Sequence, residues 1–200
     1  MKVFKVICVL FILGFVSVSH AAVIFITEED ASGVISLLGA DNVEVNKKFY
    51  NVRFVDGTCI MLFNGCDASD DFLFNTLDSA IAASDSLLLQ VFNGDSLYDL
   101  GPSLTNGCSD DTLCGVFTGY NIAYKFAPVV GVLLRNYDSG PSVDFHQYGV
   151  TQHTFINSLS NSKLVYAVWS GPVEASAPGT AMVLLMGIAG LIVSQRRKQA

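Results

Sequence analysis

Once the first 21 residues are set aside, four cysteines remain, Cys59, Cys66, Cys108 and Cys114, in two close pairs. In a chain that leaves the cytoplasm, an even cysteine count reads as two disulfides. Turn residues bracket each pair, as in Gly57-Thr58-Cys59, Asn64-Gly65-Cys66 and Asn106-Gly107-Cys108. They favour Cys59 with Cys66 and Cys108 with Cys114, and leave the two crossed connectivities open. Six and five residues intervene within the pairs, whereas zinc knuckles typically keep two to four, and no Cys-x-x-Cys redox motif occurs. The acidic stretch Asp67-Ala68-Ser69-Asp70-Asp71 sets oxygens at the first, third and fifth places of a calcium loop. Phe72 and Asp78 then stand where an EF-hand needs glycine and glutamate, so Asp67, Ser69 and Asp71 are either a less regular calcium site or a solvated turn. Asp110-Asp111 has the same two readings. His146 and His153 come without further metal ligands, and no Gly-x-Ser-x-Gly elbow is present. No catalytic residue and no cofactor is assigned on these grounds. A pair of carboxylates from the acidic loops is the enzymatic alternative, and separation in space decides that chemistry.

The whole chain of 200 residues carries a formal charge of −7. Between residues 22 and 174 stand all 18 acidic residues against Lys47, Lys48, Arg53, Lys125, Arg135 and Lys163, which leaves that part at −12. Nucleic acid is excluded as a partner, because binding phosphate requires a cationic footprint. Seven tyrosines and the lone Trp169 offer either a sugar-stacking platform or core packing. The alternation Val165, Ala167, Trp169 favours the core.

The elements that must hold these residues read as α+β, an antiparallel sheet with one substantial amphipathic helix. A strand is expected over Val23 to Thr27, broken by residues 28–33, and Val34 to Leu38 is ambiguous between helix and strand. Tyr50 to Val55 and Thr58 to Phe63 read as a hairpin turning at Asp56-Gly57. The helix is expected from about Thr76 to Phe92, capped by Asn75 or Thr76, with Leu77, Ile81, Ser84, Leu88 and Val91 on one face, flanked by Ala80, Leu87 and Phe92, and Asp78, Asp85 and Gln90 toward water. Residues 93–119 read as a long coil pinned by the second cysteine loop. Strands resume over Ile122 to Phe126, Val129 to Tyr137, Val143 to Val150 and Leu164 to Trp169, with a turn at Asp138-Ser139-Gly140-Pro141.

The two ends read as addresses. Lys2 and Lys5 precede the apolar run Val6 to Val18, and Ser19-His20-Ala21 offers a cleavage point before Ala22, so residues 1–21 are expected to be a secretory signal peptide cut by signal peptidase. At the other end, Ala177-Pro178-Gly179-Thr180 leads into an apolar run ending at Val193, and Arg196-Arg197-Lys198 follows. The 15 residues Gly179 to Val193 fall short of the roughly 20 that span a bilayer. Ala177 and Ser194 extend them and Thr180 lies within them, all without charge, and the terminal cations can snorkel and should stay cytoplasmic. The expected division is a signal peptide at 1–21, an ectodomain at 22–174, and a tail at 175–200 with a transmembrane helix over about 179–194.

This tail resembles the PEP-CTERM sorting signals of Gram-negative bacteria, over about 25 of the 200 residues. The usual Val-Pro-Glu-Pro opening is replaced by Ala175-Ser176-Ala177-Pro178, which keeps the last proline. The resemblance implies recognition and cleavage near Ala177, Pro178 and Gly179 by an exosortase-like membrane enzyme. It also implies a cell-surface or extracellular matrix setting, in which polysaccharide is the partner class, and it implies no activity. The expectation is therefore a non-enzymatic exported surface or matrix protein. An extracellular glycan-active enzyme and a stably anchored single-pass membrane protein are the alternatives.

Overall fold

The computed structural model describes residues 22–94, 96–123, 128–138, 144–152, 158 and 161–174. The expected signal peptide with Ala21, the expected sorting tail with Ala177, Pro178, Gly179, Arg196, Arg197 and Lys198, His153, and most of the turn expected after Asp138 lie outside them. Among the described residues no helix is long and apolar enough to cross a membrane.

Residues Val23–Glu174 form one unit built on a single sheet. In chain order its elements are β1 (Ile24–Glu29), β2 (Ile35–Val45), β3 (Lys48–Val55), α1 (Cys59–Leu62), α2 (Leu77–Gln90), β4 (Leu113–Ile122), β5 (Val129–Tyr137), β6 (Phe145–Gln152) and β7 (Leu164–Val173). The strands lie in the order β1-β2-β3-β7-β4-β5-β6. All neighbours are antiparallel except β4 and β7, which run parallel from Gly115 opposite Leu164 to Phe117 opposite Tyr166. The α+β class holds, while the purely antiparallel expectation gives way to a mixed sheet. Its last strand enters the middle, between β3 and β4, and can meet both only by running parallel to one.

Side chains alternate across the sheet, so β7 feeds two cores at once. Val165, Ala167 and Trp169 face α2, joining Val52, Phe54, Val116, Val132, Leu134, Ala83 and Leu87. Leu164 and Tyr166 face the other way, toward Phe72, Phe117, Leu133 and the Cys59–Cys66 bridge. The second core is covered by the chain between Gly57 and Phe72, where a hairpin partner for β3 was expected. Thr58 there caps α1 by accepting the Met61 amide, and Phe63 closes it on the Cys59 carbonyl. A turn of helix held by a short disulfide loop thus replaces the strand, and β3 pairs with β2 and β7 instead.

α2 begins one residue after the expected start. Thr76 caps it, its hydroxyl accepting the Ser79 amide. Of the expected face Ser84 and Val91 are buried, as are the flanking Ala80, Leu87 and Phe92; Ala83 joins them, Ile81 and Leu88 are half-buried, and Leu77 is exposed. Small residues lie under the helix because it sits directly on the sheet. Gln90, expected to face water, clamps β2 by accepting the Glu44 amide and donating to the Glu44 carbonyl.

The ambiguous segment after Gly33 is strand β2. Asp30 accepts the amides of Ser32 and Val34 to close the β1–β2 turn, in which Gly33 has φ +82°. The long coil ends earlier than expected, because β4 starts at Leu113. Its glycines are packing positions rather than breaks: a Cβ on Gly119 meets Phe72, and one on Gly115 meets Leu133. A Cβ on Gly131 of β5 falls onto the buried Phe117 ring. Gly131→Ala is therefore expected to cost about 1–3 kcal/mol through overpacking, read as a lower denaturation midpoint with an unchanged m-value.

Candidate functional site, a buried carboxylate pair

The polar residues that come together were not those singled out by spacing. β5 and β6 pair with Leu134 opposite His146 and Arg135 opposite Phe145. One further step sets Asn136 opposite Asp144, and cross-strand partners share a face with Cβ atoms about 4.5–5.5 Å apart. That face is the one under α2, since His146 Nδ1 lies 3.0 Å from Asp85 on the helix. On the other side of β5, Asn136 stands opposite Cys114, whose bridge to Cys108 holds the returning loop.

The loop bends over this end of the sheet through short-range bonds. The Asp99 amide donates to the Ser96 hydroxyl and carbonyl, and Asn136 Nδ2 donates to the Tyr98 carbonyl at 2.8 Å. Asp99 is thereby delivered, fully buried, against Asp144. The Tyr137 amide donates to Asp144 Oδ1 at 2.8 Å. Asp99 and Asp144 lie in hydrogen-bonding contact with each other, and no other group donates to the Asp99 oxygens, Asp144 Oδ2 or Asn136 Oδ1, all of which are buried. Four buried acceptor oxygens thus belong to three residues that the strand register and the Tyr98 bond bring to the same end of the sheet.

Burial raises the Asp99 carboxyl above its ordinary value. Burial also lifts Asp144, to about 7, with the neighbouring Asp99 charge adding to the rise and the Tyr137 amide opposing it. An aspartate whose folded value exceeds the unfolded one of about 3.9 binds its proton more tightly in the native state. Its contribution is complete below about pH 4 and is lost as pH rises through about 7. In chelator, the full chain should lose about 1–2 kcal/mol between pH 5 and pH 8, after discounting for partial solvation. A melting-temperature series across that range checks this, and Asp144→Asn should flatten it.

The singled-out acids are otherwise engaged. Asp71 Oδ2 accepts the amides of Asp67 and Ala68, and Asp70 accepts the Asn75 amide group, so this exposed stretch closes on itself as a turn. Asp110 accepts the Thr112 hydroxyl, the Thr112 and Leu113 amides and Lys163 Nζ, which hold its carboxyl down at about 2. Among the described residues no three His, Cys, Asp or Glu side chains converge on a metal position. Both local disulfides are formed, with Cα atoms 5.7 Å apart in each. A crevice of about 350 Å³, lined by Lys48, Tyr50, Leu73, Phe74, Asn75 and Pro172 among others, lies by the start of α2.

One signal for the buried pair was present in the sequence. Asn136 follows Val132 and Leu134 at the same parity of an apolar strand, and a polar residue there needs a partner. Asp99 gave none, since a turn-rich stretch hides one buried acid among several solvated ones. No family model, curated protein or solved structure matches the chain.

Proposed function

We propose that this chain is an exported cell-surface or matrix protein whose domain binds or scaffolds, delivered by its leader and sorted through its C-terminal tail by an exosortase-like enzyme. The observation that carries the reading is the tail, where a proline-containing spacer, an apolar run and the Arg196-Arg197-Lys198 cluster follow one another. Two disulfides in the preceding domain agree with passage into an oxidising compartment. The glycan-cleaving alternative draws less support. Glycosidase carboxyls stand about 5 Å or more apart with room for a sugar, whereas Asp99 and Asp144 are in hydrogen-bonding contact and Asp99 is fully covered.

Mass spectrometry of the protein recovered from its host's surface, medium and membranes tests the reading. Loss of residues 1–21 and of everything after the Pro178 region is the expected result. An intact Ala200 terminus in the membrane fraction makes this a stably anchored single-pass protein instead.

A further inference from the structure

We propose that Asp99, Asp144 and Asn136 form a binding site for a divalent cation, calcium by the character of its donors, which ties the 96–100 loop to β5 and to the start of the edge strand β6. The two carboxylates alone would not carry this. The independent observation is Asn136, whose side chain is fully buried, whose Nδ2 is committed to the Tyr98 carbonyl, and whose Oδ1 has no donor. The strand register, carried one step past Arg135 opposite Phe145, sets Asn136 opposite Asp144, and its Nδ2 bond to the Tyr98 carbonyl sets it next to the residue that precedes Asp99.

Counting acceptors separates a cation from the simplest rival, a proton shared by the two acids. One proton joins one Asp99 oxygen to Asp144 Oδ2. It leaves the second Asp99 oxygen and Asn136 Oδ1 buried without a donor, at about 1–3 kcal/mol each. A cation answers all four oxygens at once, and its two charges match the two carboxylates. The donor set is oxygen alone, which selects a hard ion. His146 gives its Nδ1 to Asp85, and among the described residues no histidine or cysteine converges with these two acids on a metal position. Calcium takes six to eight oxygens in flexible geometry and can complete its shell with carbonyls or water. Magnesium demands a near-octahedral set that two strands and a loop are not built to give. The net charge of −12 over residues 22–174 raises the local cation concentration. The site is internal, so calcium there fixes the loop and does not bridge to a partner.

The test is titration of calcium chloride into the chelator-stripped full chain, disulfides intact, at neutral pH, by calorimetry and thermal melting. Expected are one ion per chain at the buried pair and a melting temperature higher by about 4 °C at ten times the dissociation constant. Magnesium at the same concentration should give a smaller shift. Asp99→Asn and Asp144→Asn should each weaken binding at least about tenfold, whereas Asp71→Asn in the exposed turn should leave it unchanged. The wild-type titration decides the matter even where a variant fails to fold. Calcium without effect, alongside stabilisation on acidification, assigns the pair to a shared proton and overturns the proposal. Binding abolished by Asp71→Asn and kept in Asp144→Asn moves the ion to the exposed turn and overturns it equally. Neither result bears on tail processing, which the terminus analysis reads separately.

Discussion

Reduction of both disulfides in the folded chain is expected to remove about 5 kcal/mol of stability. The bridges close loops of separation 7 and 6, and on the chain-entropy relation each contributes about 2.5 kcal/mol by limiting the unfolded ensemble. A domain of this size has about 5–15 kcal/mol in total, so reduction should lower the melting temperature by about 15 °C. Comparing melts with and without reductant measures it. The two bridges are also expected to differ in a second readout, because they sit on opposite faces of the sheet. Replacing Cys108 and Cys114 by alanine frees the loop that delivers Asp99, and should flatten the pH dependence assigned to Asp144. Replacing Cys59 and Cys66 should cost similar stability and leave that dependence in place. Equal behaviour of the two pairs would mean that the 93–112 loop is held by something other than its bridge.

Those loops were legible in the sequence because their evidence is local. Turn residues beside each cysteine and a short separation suffice for pairing, and the structure has both bridges as expected. β5 emerges at its expected bounds, since an unbroken apolar run from Val129 ends in a polar turn. The long helix was legible for the same reason, through a cap at Thr76 and a periodic apolar face. Three features were not legible, and each depends on contacts distant in sequence. Gly115 and Gly119 look like breakers until Leu133 and Phe72 are seen packed on them. The parallel pairing of β4 with β7 joins segments that no local pattern connects. The carboxylate pair brings Asp99 from a loop to Asp144 beside an edge strand, and neither residue has a distinctive neighbour in sequence. Spacing favoured the Asp67–Asp71 stretch over these two because it counts acids along the chain, whereas burial decides which of them lack partners.

Trp169→Ala is expected to destabilise the domain by about 3–5 kcal/mol, and the result bears on what the aromatic residues do. A sugar-stacking tryptophan presents a ring face to solvent, and its loss lowers affinity with little change in stability. Trp169 is 9% exposed, and it follows Val165 and Ala167 into the core under α2. Its ring meets Phe74 edge-on at 5.2 Å, Phe74 meets Tyr50 at 5.0 Å, and Nε1 lies 3.4 Å from the Thr118 hydroxyl. The indole thus supports the crevice lined by Tyr50 and Phe74 from behind. Being the only tryptophan, it reports on its own surroundings. Native emission should be blue-shifted and resistant to iodide, moving to the red only on unfolding, and the alanine variant should unfold at a lower denaturant concentration. Trp169→Phe keeps most of the buried ring area and should recover more than half of the loss. If the alanine variant keeps wild-type stability, or native Trp169 is quenched like a surface residue, the ring is a contact surface and the proposed binding role gains its first candidate residue. If stability falls as expected, any glycan contact on this face falls to Tyr50 and the polar groups around it, with Trp169 fixing where Phe74 holds that ring.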